Sequence, residues 1–337
     1  MTEAVPAGRR TLARLVATAL LTLACAPPVF AGEAPGSAVA ASLKRPFADL
    51  KAVVTLTVGH TADWVAVTDD AVWVGSTGPN AVHRIDPATN RLVASVALPG
   101  EPCAGLVAGF GKVWVPLCAK RPVLARVDVA SNSLQAVTSP GPAGREGGIA
   151  ASADSLWLVI DKHGTLARLD PASGAVRQRV RLPAGAFNPI ASAGIVWVSR
   201  AEGAALLGVD ARSGALIATI TTGPGPRFLA AGGGSVWTLN QGDGSLSQVS
   251  VGDRRERSRT ALGTPGHGGD ITFGAGIVWT TVAGAPLTAT DATSGTVLRQ
   301  WVGRGGDSLA FGHGALWLTD YHGGTIARIR PEDALAP

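Results

Sequence analysis

Seven tryptophans, each preceded by an aliphatic residue and spaced 38 to 43 residues apart, dominate what this 337-residue chain can fold into. They stand in Ala71-Val72-Trp73, Lys112-Val113-Trp114, Ser155-Leu156-Trp157, Ile195-Val196-Trp197, Ser235-Val236-Trp237, Ile277-Val278-Trp279 and Ala315-Leu316-Trp317. A fixed period of this length marks a repeat architecture: a solenoid, a propeller or an array. The text between the tryptophans reads strand, turn, strand, turn, and no stretch carries capped helical periodicity. The fold class is therefore all-β: a seven-bladed β-propeller with four antiparallel strands per blade.

One unit shows the layout. Gly148-Ile149-Ala150-Ala151 makes a first strand, Leu156 to Ile160 a nearly continuous apolar second strand, and Thr165 to Leu169 a third. Asp170-Pro171-Ala172-Ser173-Gly174 then turns the chain into a fourth. The same turn recurs at Asp86, Asp128, Asp210 and Asp291. Asp accepts hydrogen bonds from backbone just ahead of it, and Gly or Asn tolerates positive φ, so these five carboxylates are structural.

The two ends are complementary. The last unit runs out one strand short at Arg330, and a surplus strand, 53–58, precedes the first full unit. Pairing the two closes the ring and removes the open edges that invite aggregation. A monomer is expected. The domain plan is a signal peptide over 1–31, a flexible small-residue tether over 32–50, the propeller over 51–331 and a tail over 332–337.

The signal rests on Arg9, Arg10 and Arg14, the apolar run from Leu15 to Ala26 and the small residues around Ala31. The apolar run is shorter than the roughly 20 residues a spanning helix needs, so no transmembrane segment is expected. Export follows, to the periplasm or medium, by the general or the twin-arginine route. Cys25 offers a lipoprotein alternative, but Thr22-Leu23-Ala24 is a poor lipidation signal, which favours release.

Charge excludes one class of partner. The 29 basic and 24 acidic residues give a net +5, and without Glu3 and the three signal arginines it is +3. The basic residues are scattered singly as a solvated surface, without the clustered stripe and interleaved aromatics that nucleic-acid binding requires. In an oxidising compartment the two cysteines left after cleavage, Cys103 and Cys118, pair. Their midpoint falls between Phe110 and Gly111, the centre of a hairpin turn, and residues equidistant from a turn face each other.

Blade geometry sorts the remaining residues by rim. The first-to-second and third-to-fourth turns share one rim, filled with repeated Gly and Asp. The second-to-third loops and the crossovers share the other, and there the text varies. A propeller's site lies at this mouth. The candidate ligand-binding residues are Asp63, Trp64, Arg145, Glu146, Asn188, Arg227, Phe228, Asp270, Asp307, Tyr321 and His322, with His267 as candidate catalytic residue beside Asp270. The ring is mixed in charge and suits a small polar molecule, a peptide or protein, or a metal. Trp64 and Phe228 would stack on a ligand or plug the channel. His313 falls on the repetitive rim, and His60 and His83 have no evident partners.

The Gly-x-Gly-x-Val-Trp-Val text at Gly109 to Val115, and Val209-Asp210-Ala211-Arg212-Ser213-Gly214, resemble the secreted propellers grouped with virginiamycin B lyase and the YVTN repeat proteins. The resemblance covers 51–330. It implies a propeller and, for its lyase members, a metal-dependent elimination, with a divalent cation such as Mg2+, that uses a His and acidic residues on late-blade loops. His267 sits where that His would be, whereas the two accompanying acidic positions are Pro265 and Thr281 here. Three functions compete on this text: ligand or partner binding at the rim, a metal-dependent lyase or hydrolase centred on His267, and a pure scaffold with a broad flat rim and no pocket.

Overall fold

A computed structural model describes Met1 and residues 39–336, which form seven four-stranded antiparallel sheets in a ring. The third blade shows the common pattern: Ile149–Ala151, Leu156–Val159, Thr165–Leu169 and Val176–Arg181, innermost to outermost. Second strands are buried along almost their whole length because each blade packs on both faces, and this makes their text continuously apolar. All seven repeated tryptophans are at most 1% exposed. The first 31 residues, Cys25 and residues 32–38 lie, Met1 aside, outside the described residues.

Closure follows the expected scheme. Val54–Thr57 pairs antiparallel with Thr325–Ile329, Val54 opposite Arg328 and Thr57 opposite Thr325, completing the seventh blade. Leu56 and Val58 then pack with Trp317 and Ile326 and with Val72, Val74 and Ile85 of the first blade.

The ends depart from expectation. The expected tether includes a strand, Lys44–Pro46, that adds to the sixth blade in parallel, Lys44 opposite Gln300 and Pro46 opposite Val302. The expected tail includes a helix, Pro331–Leu335, whose Ala334 is buried. Both dock around Trp301, with Phe47, Leu50 and Leu335 against the same cluster, and the Trp301 indole N–H donates to the Ala334 carbonyl at 2.9 Å. A few apolar residues in small-residue text acquire meaning only once an off-repeat tryptophan stands beside them.

The arginines are more than a solvated surface. In four blades the third-strand residue opposite the repeated tryptophan is Arg: Arg84, Arg126, Arg168 and Arg328. Each guanidinium lies 5.5–5.9 Å from its tryptophan ring centroid, within cation–π range. Each also donates to a turn of the following blade: Arg84 to Val129, Arg126 to Ala172, Arg168 to Arg212, and Arg328 to Pro87 across the closure. A planar multi-donor head on a long stem can cover an indole and still reach a carbonyl one blade away. The Asp turns behave as expected, Asp170 accepting from the Ala172 and Ser173 N–H groups and Asp210 from those of Arg212 and Ser213.

Cys103 and Cys118 form a disulfide with Cα atoms 5.7 Å apart. They are not directly opposite. The inner strand of the second blade is interrupted between Glu101–Pro102 and Val107–Gly109, and Cys118 faces Glu101. The bridge is therefore diagonal and pins the bulged segment that forms one wall of the channel mouth. Closing this 15-residue separation stabilises by about 3 kcal/mol in the chain-entropy account. The Cys103→Ser, Cys118→Ser double variant is expected to lose about that much in equilibrium denaturation, and two free thiols in unreduced wild type would refute the pairing.

Candidate functional site

The mouth is shaped by irregularities in the inner strands. Register shifts occur between Asp63 and Val65, between Ala186 and Pro189, and between Pro226 and Phe228, always toward the variable rim. A bulge leaves a residue unpaired and re-aims its side chain, and the displaced residues include Trp64, Phe187, Asn188 and Arg227. Trp64 and Glu146 also hold φ near +60° on these crossovers, where a bulky side chain costs about 1–3 kcal/mol.

Two cavities result. A mouth cavity of about 310 Å3 is lined by Asp63, Arg145, Glu146, Asp307, Tyr321 and His322 from the expected rim set. Glu101 and Ser76 line it too and escaped the sequence reading. Glu101 reads as part of a Pro-Gly-Glu-Pro turn, and only the interrupted inner strand turns it to the mouth. The second cavity, about 350 Å3, is the channel, lined by inner-strand residues of all seven blades including Trp64, Asn188, Phe228 and Asp270.

The structure separates the rim candidates by what they touch. Trp64 reaches across the ring toward Phe228, ring centroids 6.2 Å apart, and both are buried at 6% and 3% exposure. This is the channel-plug arrangement. Asn188 spends its amide on the Arg227 carbonyl at 3.1 Å, tying the fourth blade to the fifth. Arg227 lies 4.4 Å from the Phe187 ring centroid and pairs with Glu146 at 2.7 Å. Arg145 grips Glu101 through two bonds of 2.7 and 2.6 Å, which lowers the Glu101 pKa. Tyr321 and His322 stand edge to face at 5.2 Å. His267 is exposed and lines neither cavity. His83, expected to be without partners, is buried between the Ser76 and Ser95 hydroxyls at 2.7 and 2.8 Å. Because Ser76 donates to the Pro79 carbonyl at 2.9 Å, the Ser76–His83 pair is a structural bridge and not an activated nucleophile.

Three carboxylates carry the electrostatics. Burial, together with the charges of Asp307, Asp270 and Glu146, pushes Asp63 well above the ordinary range, although the Trp64 N–H donates to it. Burial raises Asp307, with Glu146 and Asp320 adding to the effect and a Gly269 N–H and His322 opposing it. Burial lifts Asp270 to about 7 despite bonds from Ile271 N–H, Ser308 Oγ–H and Leu309 N–H. None of the three has a Lys or Arg partner among the described residues.

A raised folded-state pKa means that the native chain holds its proton more tightly than the unfolded chain, so stability falls as pH rises between the two values. For Asp270 the window is about pH 4 to 7, and the whole effect is at most about 4 kcal/mol. His83, lowered by burial, acts in the opposite direction below its ordinary value of 6.5. With three carboxylates against one imidazole, wild type is expected to be less stable at pH 7.5 than at pH 5. Asp63→Asn should flatten the profile, since its one hydrogen bond suits an amide oxygen. Denaturant melts across this range test it; stability rising steadily with pH would refute the electrostatic account.

A resident divalent cation does not fit the late-blade mouth. Among the described residues no group of three or more His, Cys, Asp and Glu is placed to hold a metal ion. Thr281 has a structural role: its hydroxyl donates to the Asp307 carbonyl and accepts from the Asp270 N–H at 2.6 Å, locking the sixth blade to the seventh.

No sequence-family profile matches the chain, and no curated protein matches it either. Solved structures do. A streptogramin B lyase superposes with a TM-score of 0.66 at 14% identity, over 82% of this chain and 96% of that one. BamB from Moraxella catarrhalis superposes with a TM-score of 0.57 at 13% identity, over 78% of this chain and 83% of that one. At such identities the likeness is one of fold.

Proposed function

On the scaffold of a virginiamycin B lyase-like propeller, we propose that this chain is an exported binding protein that takes a small ligand, or the end of a peptide or protein partner, at the channel mouth. The observation that carries the reading is the 310 Å3 cavity on the variable rim, into which titratable and aromatic residues from several blades converge. Its walls are fixed by the disulfide and by the Arg145–Glu101 and Arg227–Glu146 pairs, a preorganisation that lowers the cost of binding. Export is supported by the signal-like first 31 residues and by the disulfide. No helix among the described residues is long and apolar enough to cross a membrane.

The alternative, a metal-dependent lyase or hydrolase centred on His267, has less support, because that histidine is exposed and outside both cavities. The two readings separate experimentally. A metabolite and peptide library is screened by thermal shift against wild type, Asp63→Ala with Tyr321→Ala, His267→Ala and Asp170→Ala. The mouth pair should abolish binding, while His267→Ala and the opposite-rim Asp170→Ala retain it. A ligand lost on His267→Ala, or found at the rim bearing His313, overturns the assignment.

A further inference from the structure

Two outer strands gather the excess charge of the whole protein. Val176–Arg181 of the third blade and residues 254–261 of the fifth carry seven arginines against one glutamate, a net +6 where the entire chain has +5. Arginine falls at alternate positions of these strands, and those positions are exposed, while the intervening Gln178, Val180, Ser258 and Thr260 are more covered. The covered residues tie each strand to the next blade. The Gln178 amide donates to the Ser213 carbonyl of the fourth blade at 3.0 Å, and the Thr260 hydroxyl to the Gly295 carbonyl of the sixth at 2.8 Å. The arginines are left to the outer wall of the ring.

More than half of this charge is unmet. Arg177, Arg257 and Arg259 pair with Asp170, Asp253 and Glu256, whereas Arg179, Arg181, Arg254 and Arg255 form no ion pair among the described residues. A charged side chain on an edge strand deters sheet-to-sheet pairing, but a single one is enough for that. Arginines two positions apart lie within about 7 Å, inside the screening length of about 8 Å, so a row of them repels itself. Between the two rows runs the outer strand of the fourth blade, Leu216–Thr221, which has no charge and leaves Leu216 44% exposed. The outer strands of the first and second blades expose Leu92, Val93, Leu134 and Val137 but hold one charged residue, Arg91. Charge together with exposed aliphatic surface therefore singles out the wall of the third to fifth blades.

We infer that this wall docks on an anionic membrane surface, its arginines against lipid phosphates and Leu216 at the level of the headgroups. Closure of the ring makes the wall convex, and none of its residues lines either cavity, which argues against a small anion as the occupant. Its three outer strands hold no aromatic side chain on which a base could stack, which argues against single-stranded nucleic acid. A guanidinium takes two phosphate oxygens at once, and cations flanking an exposed aliphatic residue are the composition of interfacial segments. Each arginine near such a surface raises partitioning about fivefold. The outer strands run from one rim to the other, so docking on this wall leaves the variable mouth open to the side.

Co-sedimentation of the full chain with vesicles is the test, equal parts phosphatidylglycerol and phosphatidylcholine against phosphatidylcholine alone. Wild type should pellet with the anionic vesicles and be released as NaCl is raised from about 0.05 to about 0.5 M. Arg179→Gln, Arg181→Gln, Arg254→Gln and Arg255→Gln together should lower the partition coefficient at least about 25-fold, the worth of two arginines. Lys51→Gln, Arg91→Gln, Lys120→Gln and Arg121→Gln remove equal charge from exposed positions elsewhere and should lower it less than about threefold. Residues 1–38 are common to all three proteins, so the fold-change reports the wall. Should the fourfold wall variant fold poorly, the Arg179, Arg181 pair and the Arg254, Arg255 pair are replaced separately, and at least one should lose about fivefold or more. The inference is overturned if wild type prefers neither kind of vesicle, if the wall variants partition as wild type does, or if the two fourfold variants lose alike. Polyglutamate or an oligonucleotide held by the wall of a protein that ignores the vesicles would assign it to an acidic macromolecule and overturn it too. None of these outcomes bears on the mouth as a ligand site.

Discussion

Deleting residues 53–58 is expected to abolish cooperative folding of the propeller. This segment supplies the outer strand of the seventh blade, with Val53 N–H donating to the Arg328 carbonyl at 2.8 Å and Val58 N–H to the Gly324 carbonyl at 2.9 Å. It also buries Leu56 and Val58 against two blades at once. Without it the Thr325–Ile329 edge is open, and the first and last blades share fewer apolar contacts. The loss should exceed about 5 kcal/mol, the stability of many whole domains. Deleting residues 41–46 removes the 3-10 turn Ala41–Leu43 and the extra parallel strand of the sixth blade and should cost far less. Thermal and denaturant melts of the two truncations decide the matter; equal midpoints would show that 53–58 does not close the ring.

Trp197→Ala is expected to cost about 3–5 kcal/mol, as for other large-to-small changes in a packed interior. Trp197 is fully buried between the fourth and fifth blades, among Leu206, Ile220, Val236 and Val249. Gly208 lies opposite it, where an added Cβ would come within 3.1 Å of the indole, so the ring occupies the place of a third-strand side chain. The Phe variants separate packing from polar contributions. Trp157→Phe forfeits the bond from the indole N–H to Ser152 Oγ at 3.1 Å and weakens the Arg168 contact at 5.5 Å. Trp197 has neither kind of partner among the described residues, so Trp197→Phe should be milder. A Trp197→Ala loss below about 1 kcal/mol would contradict its place in the core.

Residue types that recur at one place in every blade were legible; residues that act once were not. The tryptophan period, the Asp turns and the missing last strand were enough to state the blade count and the closure. The arginines opposite four of those tryptophans recur as well, but their reach to the next blade's turn is a contact between units, invisible to a reading made within one unit. The rim was legible as the region that does not repeat, and six of its named residues do meet at one cavity. Which of its charges were already neutralised was not, since Arg227 and Glu146 lie 81 positions apart in the chain and Arg145 and Glu101 44 apart. His267 drew attention by its sequence neighbours, and the folded loop leaves it in solvent.

Local periodicity and turn chemistry are short-range properties, carried by side chains within a few positions of one another, and for that reason the sequence alone determined the blades, their number and their order. The diagonal disulfide, the docking of both end segments around Trp301, the reach of Trp64 across the channel and the lack, among the described residues, of a cationic partner for Asp63 and Asp307 were decided only by tertiary structure. Each depends on residues from different blades brought within a few ångströms, where desolvation and Coulomb terms grow strong, and on bulges that shift register by one or two residues. Repetition makes the scaffold predictable, and the mouth is built where repetition stops.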